Sequence, residues 1–300
     1  MKRSSSGPVL GDDLGPRAQR MVNIVSAVVV LLLAALVWIG VQRLRSNGQL
    51  TADKWRWSTN LRVQRFLLVG LLNTVKVAVV AMVLSLAVGA LLALGRVAPQ
   101  RPVRFVATVV IEFFRAMPLL LLILFIGLTF PTHHLPVGAF WYLVIGLTAY
   151  NGAVLGEVFR AGIASLDRGQ TEAAQALGMR WWQTMRLVVV PQALRRMVPA
   201  IVSQLVTLLK DTSLGYVLPY EELLRRGREL GQDFTLHQPA LQSLIEVAAL
   251  YAIVNFTLSR IARRLELHQR RSGRGAAPAV TGALEMAALD AQARTMPDPT

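Results

Sequence analysis

Few residues of this sequence have the types and spacing that catalytic chemistry requires. Cysteine is absent, and each of the four lysines follows a residue other than glycine, so the Gly-Lys pair of a phosphate-binding P-loop does not occur. His133 and His134 are adjacent, but no third metal ligand stands near them, and a polar turn is the simpler interpretation. The sequence therefore predicts no catalytic residue, no metal site, no bound cofactor and no ATP hydrolysis by that route.

Two adjacent charges, Lys210 and Asp211, lie inside an apolar segment. A charge at the centre of a bilayer costs about 2.5–3.5 kcal/mol on insertion scales, so these side chains must face protein or water. Neighbouring residues of a helix point about 100° apart, so the two cannot serve one partner on the same face. They could line a path for a substrate with charged ends. The alternatives are a structural ion pair with another span, or a helix end at the outer interface.

A second pair of charges, Glu112 and Arg115, stands three residues apart, where the side chains can meet on one helical face. Pro118 follows and disturbs that helix, so a structural pair that fixes a bent helix is preferred to direct contact with substrate. Uncharged polar residues in apolar segments can form hydrogen bonds between helices, with a role as substrate ligands as the alternative. These residues are Asn73, Thr74, Thr212 and Ser213.

The elements that must position these residues are membrane helices. Of 300 residues, 54% are hydrophobic and only 16% are charged, against roughly 25% in soluble proteins. Several apolar runs reach the roughly 20 residues that cross a bilayer. The fold class is therefore all-α, a polytopic membrane protein of about six transmembrane helices. The net charge of +15 comes from basic residues beside the apolar runs, which indicates membrane anchoring and not nucleic acid binding.

Composition divides the chain into five parts. They are a disordered cytoplasmic tail (1–20), an N-terminal anchor helix (21–41), an extracytoplasmic or interfacial linker (42–65), a five-helix core (66–262) and a basic, largely disordered cytoplasmic tail (263–300). The core spans are predicted at about 66–95, 105–130, 137–156, 192–218 and 240–262. The anchor is retained, because its apolar run is too long for a signal peptide and has no cleavage site after it.

The orientation follows from the lysine and arginine count. With both termini inside, the inner segments hold 20 basic residues and the outer segments hold nine. The linker 42–65 opposes the rule with six basic residues, so the first helix is the part whose topology is least determined.

The loop 157–191 is the most informative stretch. Residues 172–177 read Glu-Ala-Ala-Gln-Ala-Leu and precede Gly178, which predicts a short helix with a glycine stop. A helix this short is not stable alone in water, so a partner must pack against it. A generic amphipathic connection is the alternative to a functional contact.

The full pattern resembles the EAA loop of type I ABC importer permeases. The matching positions are Glu172, Ala173, Ala174, Gly178 and Pro191, with Val188 and Val190 in place of the usual Ile and Leu. The resemblance implies that the loop 172–191 binds a separate ABC ATPase, whose ATP and Mg²⁺ stay on that subunit, and that ATP-driven closure moves the spans. Gly169 is included among these coupling residues.

Three further segments are similar to those of polar amino acid permeases. They are Glu112 to Leu119 (with Ala116 and Met117 in place of Gly and Thr), Leu209 to Leu214, and Gly70 to Thr74. The first 65 residues resemble actinobacterial glutamate-importer permeases, which favours glutamate or aspartate and leaves glutamine, arginine and histidine open. The resemblance also implies an extracytoplasmic binding protein and a second permease subunit, identical or homologous.

Two other classes make different predictions. A secondary transporter driven by an ion gradient predicts internal repeats, which are not evident, and leaves the loop at 172–191 unexplained. A membrane-embedded enzyme predicts converging acidic or histidine residues, such as an HExxH helix, and none occurs in the sequence.

Overall fold

The computed structural model describes residues 15–132, 137–236 and 239–273, and every regular element within these ranges is helical. Contacts divide the chain into two units, residues 1–60 and 61–300, which are described separately. His133 and His134 and the chain beyond residue 273 lie outside the described residues, so the predicted turn and the end of the basic tail are not addressed by the structure.

The first unit contains a long apolar helix and a short connection. Helix α1 spans Pro16–Ser46, and none of its residues is buried within the chain. It begins five residues before the predicted anchor, because proline is well tolerated in the first turn of a helix. A 3₁₀ helix follows at Ala52–Thr59, where the Trp57 indole N–H donates to the Lys54 carbonyl at 2.7 Å.

The second unit is a helical bundle. Its α-helices are α2 (Leu61–Arg96), α3 (Arg101–Ala116), α4 (Leu119–Thr132), α5 (Gly138–Ala164), α6 (Arg168–Ala176), α7 (Trp181–Thr184), α8 (Val190–Asp211), α9 (Leu223–Gly231) and α10 (Ala240–Gly273). A π-helical turn at Met185–Val189 joins α7 to α8, and 3₁₀ helices occupy Thr212–Val217 and Phe234–Leu236.

Four described helices are long and apolar enough to cross a membrane: α1, α2, α5 and the Ala240–Ile261 part of α10. The pair α3 and α4 adds a fifth if it is one broken span, bent by 98° at the break before Pro118. Helix α8 occupies the predicted span 192–218. It is not among the helices that are apolar enough to cross a membrane, since it carries two arginines and the Lys210–Asp211 pair. The polytopic helical class is confirmed, with four or five spans by this measure.

The centre of the bundle is the contact between α2 and α5, the most extensive helix pair in the described chain. Small residues bring the two backbones together: a Cβ on Gly89 would stand 3.0 Å from the Gly152 carbonyl oxygen and 3.1 Å from the Gly156 nitrogen. Close approach through glycine is a common way to pack membrane helices. Around this contact lies a core that includes Leu143 and Leu147, both fully buried.

The structure corrects two boundaries of the sequence analysis. The segment 219–239 is predicted as a polar loop, yet α9 lies within it at Leu223–Gly231. Its four charged residues hide its helical pattern. Pro131 is predicted to begin a turn, yet α4 continues through it to Thr132, because it comes too near the helix end to disrupt further turns.

Candidate functional site

The segment 167–184, which we name the coupling hairpin, contains α6 and α7. Asp167 caps α6, since its Oδ1 accepts from the Gly169 N–H at 2.8 Å. A carboxylate at this position satisfies a free backbone donor and interacts favourably with the helix dipole. The predicted short helix is therefore present, and Gly169 lies in its first turn.

Gly178 ends α6 in a left-handed conformation, with φ of 80°. The Met179 N–H donates to the Ala174 carbonyl at 3.1 Å and the Gly178 N–H donates to the Gln175 carbonyl at 2.9 Å. These two bonds form a Schellman motif, which satisfies carbonyls that the helix end would leave free. The conformation, and not a lack of space, requires glycine, because a Cβ here would meet nothing within 4 Å.

The outer face of the coupling hairpin is open. Within α6 only Ala174 is buried, while Glu172 and Ala173 are exposed. Leu177 is 84% exposed and Trp182 is 65% exposed, which are high values for large apolar side chains outside a bilayer. A cluster of exposed small and apolar residues on a short helix is the composition of a protein contact surface.

The coupling hairpin is fastened to the helices on both sides of it. Arg196 in α8 donates to the Ser165 carbonyl at the end of α5 at 2.7 Å, and the Gln192 amide donates to Gln170 at 3.1 Å. Helix α7 runs through the π-turn into α8, where Pro191 has no N–H to donate to the preceding turn. These bonds and the continuous chain connect the hairpin to both α5 and α8.

The predicted pair Glu112 and Arg115 belongs to a larger ionic cluster. Their side chains approach to 4.0 Å, whereas Arg96 at the end of α2 holds Glu112 at 3.0 Å and Glu157 in α5 at 2.6 Å. Arg160 also holds Glu157, at 2.6 Å. The cluster joins α2, α3 and α5, and Arg96 is its central cation.

Lys210 and Asp211 point to different surroundings, as their spacing predicts. Lys210 lies on an open groove of about 550 Å³, whose polar lining residues are Ser213, Tyr251 and Asn255. The buried Asn255 Oδ1 has no hydrogen-bond partner among the described residues. The groove thus offers the Lys210 cation to a ligand.

Asp211 turns instead toward α5. Its carboxylate interacts with the side chain of Asn151, which is fully buried. The Asn151 Oδ1 also accepts from Gln204 at 2.8 Å. These three residues form a polar cluster between α5 and α8.

Asn73 and Thr74 contact α9 and its approach, with no contact to Lys210. The Asn73 amide donates to the Glu221 carbonyl at 2.9 Å, and the Thr74 hydroxyl accepts from the Leu223 N–H at 3.0 Å. Arg226 strengthens the same contact, donating to the Phe66 carbonyl at 2.8 Å. The observed contacts of Asn73 and Thr74 are therefore hydrogen bonds between segments of the bundle.

A buried carboxylate, Glu222, begins α9. It accepts from the backbone N–H groups of Leu224 and Arg225 and from the Tyr251 hydroxyl at 2.9 Å. Burial raises the pKa of Glu222, although these three donors oppose the shift. Tyr251 therefore joins α10 to the start of α9 through Glu222.

Sequence reasoning missed several residues of these clusters. Asn151, Gln204 and Asn255 could have been noticed as amides inside apolar helices, where an amide needs a partner. Glu222 could have been noticed as a helix cap, since an acidic residue precedes Leu223-Leu224. Within the described residues no group of three or more histidine and acidic side chains could hold a metal ion.

The helices define a polytopic membrane protein, and the comparison with known families identifies its class. The chain belongs to the family described as binding-protein-dependent transport system inner membrane component, which matches residues 85–271. The chain is therefore a multi-pass permease subunit of the plasma membrane and is not itself catalytic. Such a transporter also needs an ATPase and a binding protein.

The chain is also similar to individual proteins of this family. The chain is 42% identical over 235 residues to the glutamate transport system permease protein GluD of Corynebacterium glutamicum, covering 77% of this chain and 85% of the relative. It is 37% identical over 204 residues to the probable glutamine ABC transporter permease protein GlnP of Bacillus subtilis, covering 68% and 94%. A crystal structure of an amino acid ABC transporter with histidines matches with TM-score 0.63 at 28% identity, covering 69% and 96%.

Proposed function

We propose that this chain is the permease of an ATP-driven importer of polar amino acids, with glutamate or aspartate as substrate. The observation that carries the proposal is the coupling hairpin, an exposed helix fastened between α5 and α8. The 42% identity to a glutamate permease supports the substrate, and the other relatives are named for glutamine, arginine and acidic amino acids. Both termini face the cytoplasm, as the basic residues of the inner segments favour.

The ATPase moves the pore through α8. Gly169, Glu172, Ala173, Ala174 and Gly178 lie on or beside the exposed helix α6, and Pro191 lies in the first turn of α8. The 22 residues of α8 span about 33 Å and end at Lys210 and Asp211. A movement of the hairpin on the ATPase therefore reaches the residues proposed to line the path.

The groove at Lys210 suits an amino acid. The exposed Lys210 ammonium is a donor for a substrate carboxylate, and Asn255 contributes to the same lining. A second permease subunit, identical or homologous, is proposed to close the open side of this groove, since one subunit provides half of the pore. Asp211, Thr212 and Ser213 support the Lys210 end of the path, and Asn73 and Thr74 hold α9 against it.

Uptake of a panel of labelled amino acids in a deletion strain tests the substrate. Glutamate and aspartate are expected to be transported best, and preferred uptake of arginine or histidine would contradict the assignment. Lys210→Met, Asp211→Asn and Asn255→Leu are expected to lower uptake while the ATPase still co-purifies. Retained uptake in all three variants would remove the groove from the path.

Two measurements test the coupling. Gly178→Asp is expected to abolish both transport and co-purification with the ATPase, and retention of both would contradict a role for the coupling hairpin. Uptake into vesicles that is driven by an ion gradient without any ATPase would instead indicate a secondary transporter.

A further inference from the structure

Helix α3 is amphipathic along its whole length. Its polar residues recur every three or four positions, and they are Arg101, Arg104, Thr108, Glu112 and Arg115. The opposite side carries large exposed apolar residues, with Val106 at 60% and Phe113 at 54% exposure. The helix meets α4 at 98°, so the two cannot both lie along one axis through the membrane. This geometry is typical of a helix that lies at the boundary between headgroups and acyl chains.

An apolar groove of about 460 Å³ separates α3 from the last turns of α2. Its lining contains no polar side chain and consists of Leu91, Leu92, Pro102, Val103, Val106, Ala107 and Val110. The two helices touch at the floor of the groove, where a Cβ on Gly95 would stand 3.1 Å from that of Ala107. An open apolar groove of this kind is suited to an alkyl chain and poorly suited to water.

Two arginines lie at the start of α3, next in sequence to residues that line the groove. Arg101 begins the helix beside the groove residue Pro102, and Arg104 follows one turn later; both side chains are exposed. No acidic residue lies between Arg96 and Glu112, and Arg96 already holds the Glu112 carboxylate at 3.0 Å. The positive charge at this end of α3 is therefore not balanced by a neighbouring carboxylate of the same segment.

The geometry points to a phospholipid site, in which the groove between α2 and α3 holds an acyl chain and the Arg101–Arg104 pair binds an anionic headgroup. The proposal does not depend on the amino acid transported. The leaflet, though not the site, follows from the proposed orientation, which puts the start of α3 on the cytoplasmic side. Anionic lipid bound here would fix α3 against α2, beside the Arg96 cluster.

The test is native mass spectrometry of the full chain, purified with its ATPase, in the presence of phosphatidylglycerol or phosphatidylcholine with identical acyl chains. Preference for phosphatidylglycerol is expected. In Arg101→Gln/Arg104→Gln this preference is expected to fall roughly ten- to thirtyfold. The reason is that each of the two arginines contributes a similar favourable free energy to the binding of anionic lipid. Arg43→Gln/Arg45→Gln, which removes two exposed arginines in the last turn of α1 and changes the charge equally, is the matched control.

A second variant tests the contribution of the acyl chain separately from that of the headgroup. Val106→Trp fills the groove from an exposed position and is expected to weaken binding of both lipids without affecting thermal unfolding. Glycerol phosphate alone is expected not to compete, and competition would show a simple anion site and overturn the proposal. Equal loss in the control pair, or no loss in Arg101→Gln/Arg104→Gln, would also overturn it. So would a Val106→Trp variant that separates two permease subunits while lipid binding is unchanged.

Discussion

The replacement Gly178→Ala tests the coupling hairpin at a single backbone conformation. Gly178 has φ of 80°, and an added Cβ would meet no atom within 4 Å. The cost therefore comes from the left-handed backbone alone, about 1–2 kcal/mol for a residue with a side chain. No core packing is lost, because Gly178 and its neighbour Leu177 are both exposed.

The structure offers a matched control outside the hairpin. Gly40→Ala makes the same chemical change inside α1, where the backbone is helical and a Cβ would also meet no atom within 4 Å. Alanine is favoured over glycine by about 1 kcal/mol inside a helix, so this change carries no conformational cost. Gly178→Asn is the conservative variant, because asparagine tolerates the left-handed region better than other residues do.

The assay is the affinity of the purified ATPase for the permease, together with amino acid uptake. If the ATPase binds the Schellman-terminated hairpin, strain of 1–2 kcal/mol lowers the population of that conformation and weakens binding by about 5- to 30-fold. Gly178→Asn is expected to lose less, and Gly40→Ala is expected to bind within about twofold of the wild type. Wild-type affinity in Gly178→Ala, or an equal loss in Gly40→Ala, would refute the reasoning.

Three further predictions concern the bundle. Gly89→Val is expected to prevent stable assembly, because its side chain would collide with the backbone of α5. Gly40→Val should be tolerated, since its side chain would meet no atom within 4 Å of the Cβ. Size-exclusion chromatography in detergent distinguishes the two outcomes. Arg96→Met should destabilise the chain by about 1–3 kcal/mol, since Glu157 and Glu112 lose a shared charged donor, and unchanged thermal unfolding would contradict this. Glu222→Gln should flatten the pH dependence of stability. Burial raises the pKa of Glu222, so the native chain binds its proton more readily, and wild-type stability should fall as pH rises from about 4.3 through the raised value. An unchanged pH profile in the variant would show that Glu222 does not contribute.

Patterns that are local in the sequence were predictable. The length of the apolar runs determined the class of protein, because a bilayer imposes one length on every helix that crosses it. The end of α6 was also predictable, since Gly178 and its two hydrogen bonds lie within five residues of one another. The bend between α3 and α4 was predictable too, because its cause, Pro118, lies at the break itself.

Partners distant in the sequence were decided by tertiary structure alone. Glu112 was expected to pair with Arg115, three residues away, but the shorter contact is to Arg96 on another helix. Thr74 meets the Leu223 N–H across 149 positions, and no spacing rule identifies that contact.

The divergence of Lys210 and Asp211 combines both kinds of information. The helical repeat by itself determined that adjacent residues face different ways. Only the packing of α5 and α10 around α8 decided that Asp211 meets Asn151 and Lys210 meets the groove beside Asn255. The reason is physical: periodicity fixes the direction of a side chain on its own helix, whereas its partner depends on which helices the bilayer and the core bring against it.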